Sequence, residues 1–108
     1  MTIQPGEFWI ADIPFTNQVA SKRRPVLILW LEGRDCVVAA VTSAPSRSAS
    51  DIPLQDWRAG GLRVPSTVRL ARLDCLEQSI LEFRLGHISA SDALRVREAW
   101  AEHIKPQF

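Results

Sequence analysis

Arg24 is followed by Pro25 and the apolar run Val26-Leu27-Ile28-Leu29, and a second apolar run, Val37 to Val41, ends in Thr42-Ser43. Proline fixes its own φ and biases the residue before it towards extended backbone, so the Arg24 guanidinium is expected at the mouth of a strand. A guanidinium presents a planar fork of donors that matches two phosphate oxygens, and a threonine hydroxyl beside it donates to a third. The chemistry this pair points to is the holding of a phosphate. The same residues also read as a solvated charge beside a strand and a β-branched strand residue, and type and spacing alone leave both readings open.

The basic residues around that pair are bunched. The chain has 13 Lys and Arg against 12 Asp and Glu, a formal net charge of +1, which on its own argues against a dedicated nucleic-acid binder. Residues 16–31 nevertheless hold Lys22, Arg23 and Arg24 without an acid, and residues 57–73 hold Arg58, Arg63, Arg69 and Arg72 without one. If the two stretches share a face they form a basic patch suited to a polyanion; otherwise they are an unevenly charged surface. Lys22, Arg23 and Arg47 are expected in loops, where they either touch a phosphate backbone without reading sequence or are simply solvated. Trp57, beside Arg58 and close to Gly60-Gly61, is the tryptophan best placed to stack an unpaired base. Trp9 and Trp30 fall in strand patterns and Trp100 on a helical stripe, and all three are expected in the core. His87 and His103 are assigned structural or solvated roles. Cys36 and Cys75 lack the clustering of a zinc or redox site and are expected to be reduced and partly buried; neither metal nor cofactor is expected.

The elements that must position these residues read as strands first and one helix last. Glu7 to Ile13 is a first strand with Phe8 and Ile10 turned inward, ended by Pro14. Phe15 to Arg23 has no periodicity and is long for a hairpin connection, hence a candidate lid or binding loop. Val26–Leu31 and Cys36–Thr42 form a hairpin at the centre of the sheet through Glu32-Gly33-Arg34-Asp35. Ala44–Ser50 is a loop, and Asp51–Leu54 a short edge strand because Pro53 cannot donate to a ladder. Gly60-Gly61 is a turn; Leu62–Leu70, Leu73–Leu76 and Ile80–Leu85 are further strands, with Gly86 as the exit. Ser89 with Asp92 forms a capping box, and Ala93, Val96, Trp100 and Ile104 fall on one helical stripe before Pro106. The 108 residues make one domain, mainly β with a C-terminal helix. The longest apolar run, Val26–Leu31, is far short of a membrane span, and Met1-Thr2-Ile3-Gln4-Pro5 has no signal-peptide character, so a soluble, cytoplasmic protein is expected.

Five segments in order carry a family resemblance: Gly6-Glu7-Phe8-Trp9-Ile10 with Asp12, Arg24-Pro25-Val26-Leu27-Ile28, Val41-Thr42-Ser43, Ser66-Thr67-Val68-Arg69-Leu70, and Leu85-Gly86-His87-Ile88-Ser89 before a final helix. Over about residues 5–104 the chain resembles the MazF/PemK toxin family. The resemblance implies a small SH3-like barrel with a C-terminal helix, a homodimer, and a metal-independent endoribonuclease that cuts single-stranded RNA, mRNA included, at short sequence motifs. It further implies 2′,3′-cyclic phosphate and 5′-hydroxyl ends, growth arrest, and a cognate antitoxin occupying the RNA groove. Carried onto this sequence, Arg24 matches the family's catalytic arginine, Thr42 the threonine that works with it, and Arg69 an arginine that some relatives use. Lys22, Arg23, Ser43, Arg47 and Trp57 join Arg69 as the expected substrate contacts.

Two departures accompany the match. Some relatives place a carboxylate two residues after the arginine matched by Arg69, where this chain has Ala71; some place a histidine in the first loop, where this chain has Gln18 and Val19. That leaves no evident general base, since arginine keeps its proton at ordinary pH. Two alternatives stay open on the same barrel: a catalytically silent RNA- or protein-binding module, and a gyrase poison of the CcdB type. The second is associated with a C-terminal Trp-Gly-Ile, whereas this chain ends Lys105-Pro106-Gln107-Phe108. An SH3 adaptor is disfavoured by the absence of tyrosine.

Overall fold

Gly33 takes φ +57° and closes a two-residue turn in which Glu32 pairs with Asp35, joining β2 (Ser21–Glu32) to β3 (Asp35–Thr42). The computed structural model describes residues 2–14 and 21–108. Around that hairpin lie β1 (Glu7–Pro14), β4 (Asp51–Pro53), β5 (Thr67–Glu77), a 3₁₀ turn (Gln78–Ile80), β6 (Leu81–His87) and helix α1 (Ala90–His103). The strands form one antiparallel sheet in the order β4-β5-β3-β2-β1-β6, which puts the β2–β3 hairpin at its centre as predicted. The sheet does not close by strand pairing, since β4 and β6 stand at its two ends. A loop bridges that gap instead. The segment after β4 carries the backbone of Gly60-Gly61 against that of Leu85-Gly86, so close that a Cβ on Gly61 would run into the Leu85 carbonyl and one on Gly86 into the Gly60 carbonyl.

The curled sheet buries both of its faces. Phe8, Leu27, Ala39, Val41, Val68 and Leu70 pack with Ile52, Leu62 and the helix residue Val96 in one core. Trp9, Ala11, Val26, Ile28, Cys36 and Val38, on the opposite face of the same strands, pack with Ile3, Leu76 and Leu81 in a second. The single inward face expected of β1 is therefore corrected: Phe8 and Trp9 are both 1% exposed, on opposite sides. The helix covers the first core with the predicted stripe of Ala93, Val96, Trp100 and Ile104. Ser89 caps it by accepting from the Asp92 N–H at 3.2 Å. The carboxylate of Asp92 serves the loop after β4, accepting from the N–H groups of Gln55 (3.1 Å) and Asp56 (2.8 Å) and from Arg95 (3.0 Å), so only half of the capping box forms.

Other expectations are corrected too. Residues 62–66 are not a strand, and β5 runs unbroken in sequence from Thr67 to Glu77, merging the two strands predicted there. Gly86 lies within β6. Ser21, Lys22 and Arg23 belong to β2 and not to a loop, because the β1 pairing continues through Pro14↔Ser21; the rest of the lid expected there, residues 15–20, lies outside the described residues. Cys36 is buried, but Cys75 is exposed, since it faces away from the second core. Burial, with the neighbouring Cys75 and the Asp35 carboxylate, pushes the Cys36 thiol up to about 11. Trp30 is 38% exposed, with its ring edge-on to Trp100 at 5.7 Å. Among the described residues no helix is long and apolar enough to cross a membrane.

Candidate functional site

A bulge in β5 builds the site. Ala40 pairs with Arg69 and its neighbour Ala39 with Leu73, so Leu70, Ala71 and Arg72 are extra residues on β5. Residues five apart on a regular strand face opposite ways. Here the bulge sets Arg69, opposite Ala40, and Asp74, opposite Val38, on one face. The same face receives Arg24 and Thr42: β2 and β3 pair Val26 with Ala40, and two residues further along each strand stand Arg24 and Thr42. Arg24, Thr42, Arg69, Arg72 and Asp74 line a cleft of about 60 Å³ over Val26, Val38 and Ala40. It lies on the side of the sheet away from the helix, where the second core stops short of the strand ends.

Two of the polar groups in the cleft are held by the fold, Thr42 and Arg69. Thr42 Oγ1 accepts a hydrogen bond from the Ala44 N–H at 3.1 Å, which orients the hydroxyl and leaves its hydrogen free to donate. Arg69 is half-buried, with Nε 3.5 Å from Oδ1 of Asp51, its partner across the β4–β5 ladder. Arg24 is half-buried at the start of the β2 core segment, and Arg72 and Asp74 are exposed at the rim. Three guanidinium groups and one carboxylate thus converge on a concave spot open to water. Residues of these types in such a set have the chemistry to hold a phosphate diester, to stabilise extra negative charge on it, and to accept a proton beside it. Among the described residues no three His, Cys, Asp or Glu side chains gather into a metal-holding group.

The expected catalytic and substrate-contact residues divide. Arg24, Thr42 and Arg69 come together in the cleft. Lys22 lies on the Arg24 side of β2 by strand alternation and is exposed, but Arg23 faces the other way, paired with Glu82 at 2.9 Å. Ser43 and Arg47 are exposed on the loop that leaves the cleft after Thr42. Trp57 does not line the cleft: it packs against the first core, and the Arg58 guanidinium lies 5.0 Å from its ring centroid. Two residues of the cleft, Arg72 and Asp74, are additions to the site read from sequence. Their signal was present, because Arg72-Leu73-Asp74 carries the arginine–carboxylate spacing that Ala71 denies to Arg69. Only the bulge shows that this second arginine, three residues on, also reaches the site.

The family described as PemK-like, MazF-like toxins of type II toxin-antitoxin systems matches residues 4–104 of the chain. Among solved structures, an endoribonuclease from a mycobacterial species, in complex with its cognate antitoxin, superposes with a TM-score of 0.74 at 16% identity, over 94% of this chain and 93% of that one. The Mycobacterium tuberculosis toxin MazF-mt6 gives 0.68 at 25% identity over 87% and 93%. A MazE-MazF structure from Deinococcus radiodurans gives 0.70 at 21% identity over 93% and 94%. No curated protein matches the chain by sequence. The six-stranded sheet with its terminal helix is therefore the fold of these toxins.

Proposed function

This chain belongs to the PemK-like, MazF-like toxins of type II toxin-antitoxin systems, and on that premise we propose that it is a metal-independent endoribonuclease that cuts single-stranded RNA within short sequence motifs. The observation that carries the reading is the convergence of Arg24, Thr42, Arg69, Arg72 and Asp74 in one cleft. RNA brings its own nucleophile, the 2′-hydroxyl, so the protein has to supply orientation, charge stabilisation and proton transfer. In this reading Arg24 forks onto the two non-bridging oxygens of the scissile phosphate and Thr42 donates to one of them, while Arg69 and Arg72 meet the charge that grows as the 2′-oxygen attacks. Asp74 takes the 2′-hydroxyl proton, the role for which the guanidinium groups are unsuited. The P–O5′ bond then breaks, the 5′ oxygen takes a proton from water at the open rim, and a 2′,3′-cyclic phosphate and a 5′-hydroxyl remain.

Two partners accompany the reading. The mycobacterial relative is solved with its antitoxin, which supports a cognate antitoxin for this chain. A second copy of the chain, acting with the RNA pool of the cytoplasm, is the other. The direct test is Arg24→Ala, assayed with purified protein on single-stranded RNA. Cleavage should fall at least about 100-fold in a variant whose melting transition shows that it is still folded. Arg24→Lys should recover little, because a point charge cannot reproduce the fork. Full activity in a folded Arg24→Ala protein would remove Arg24 from the site.

A further inference from the structure

We propose that Asp51 is a positioning residue that locks Arg69 end-on to the substrate phosphate and ties it to the loop after Thr42; this rests on the ribonuclease reading above. The Asp51 side chain is 2% exposed, a costly place for a carboxylate unless its charge is used. Its Oδ2 accepts from the Arg47 N–H at 2.9 Å, its backbone N–H donates to the Ser48 carbonyl at 3.1 Å, and its backbone carbonyl accepts from the Ser46 hydroxyl at 3.4 Å. Three separate atoms of one residue therefore hold the loop that runs from Thr42 past Arg47. The fourth, Oδ1, faces Arg69 Nε at 3.5 Å, and neither of these buried atoms has a hydrogen-bond partner among the described residues. Arg69 is thereby held from behind by charge.

The consequence is geometric. A guanidinium can meet a phosphate side-on, through Nε and one Nη, or end-on, through both Nη groups. With Nε turned to Asp51, the end-on fork is the one Arg69 presents to the cleft. The same carboxylate fixes the backbone of Arg47, so the wall holding Thr42 and the wall holding Arg69 move as one unit. A displacement of Arg69 by a fraction of an ångström would uncouple phosphate binding from the attack geometry.

The test is a double-mutant cycle of Asp51→Asn and Arg69→Ala in the full chain. Asparagine keeps an amide oxygen for the Arg47 N–H while removing the charge behind Arg69. Asp51→Asn should lower kcat about tenfold with KM changed by less than about twofold, and should cost nothing further in the Arg69→Ala background. An unchanged kcat, or an equal loss with and without Arg69, overturns the proposal, as does a loss that merely follows the melting temperature. If the wild-type chain cleaves no RNA, the ribonuclease reading fails by itself, and the Arg69 Nε–H signal in a nitrogen–proton NMR spectrum still decides. It should shift in Asp51→Asn while the Arg24 and Arg72 signals stay in place; an unmoved Arg69 signal refutes the link.

Discussion

In the proposed mechanism Asp74 is the base that a site built from arginines otherwise lacks, being the one carboxylate among the described residues that line the cleft. Replacing it with asparagine keeps the shape and removes the base. Asp74→Asn should therefore lower kcat by about 10²- to 10⁴-fold, with KM within a few-fold of wild type, in single-turnover cleavage of a short RNA. A variant that keeps its rate would return the proton to an arginine or to water. Arg24 and the threonine closing β3 were legible in sequence, since Pro25 and two apolar runs mark the core segments of the two strands. Arg24 is not at a strand mouth, however, because β2 begins at Ser21 through its pairing with β1. Asp74 was legible only as the carboxylate two residues after Arg72; Leu70-Ala71-Arg72 look like ordinary strand residues, and nothing local marks the bulge that turns that carboxylate onto the site face.

At the scale of elements, β1 is anchored to β6 by a buried carboxylate. Glu7 accepts from Arg84 Nε at 2.6 Å, the Gln4 N–H at 2.8 Å and Trp9 Nε1 at 3.0 Å. Burial works to raise its pKa, but the hydrogen bonds from Trp9, Gln4 and Arg84 and the Arg84 charge outweigh it and hold Glu7 below its ordinary value. A carboxyl group lowered by folding stabilises the protein above the unfolded-state value of about 4.3 and loses that contribution as the pH falls through the folded one. Glu7→Gln should lower stability at pH 7 by about 2 kcal/mol and flatten the decline below pH about 4.5, read by chemical denaturation across pH. An unaltered acid limb would take Glu7 out of the acid response. The helix and the central hairpin were readable because their signals are local: the Ser89 cap, the Ala93–Ile104 stripe and Gly33. The burial of both faces of β1 was not, since it comes from the curl of the whole sheet and from the Gly60-Gly61 loop that bridges the sheet ends.

The whole molecule is nearly neutral, at +1, yet three arginines meet in the cleft. RNA binding should accordingly be salt-dependent in a local and countable way. For single strands each neutralised phosphate contributes a slope of about −0.7, so the three cleft arginines with Lys22 beside them give about −3 in log K against log salt. Arg69→Ala or Lys22→Ala should flatten the slope by about 0.7 each if both contact phosphate. Arg23→Ala should leave it unchanged, because Arg23 faces the other side of the sheet and is paired with Glu82. A salt-independent affinity for a 2′-O-methyl RNA would show that the cleft is not the polyanion site.

The central claim, that this cleft cuts RNA by using the RNA's own 2′-hydroxyl, is tested most directly by mapping the ends formed when mixed single-stranded RNA meets the purified chain in EDTA, with Arg24→Ala in parallel. The account predicts cuts recurring at one short motif, each leaving a 2′,3′-cyclic phosphate upstream and a 5′-hydroxyl downstream, absent from the Arg24→Ala lane. Products ending in a 3′-hydroxyl and a 5′-phosphate, or cleavage abolished by EDTA, would contradict it.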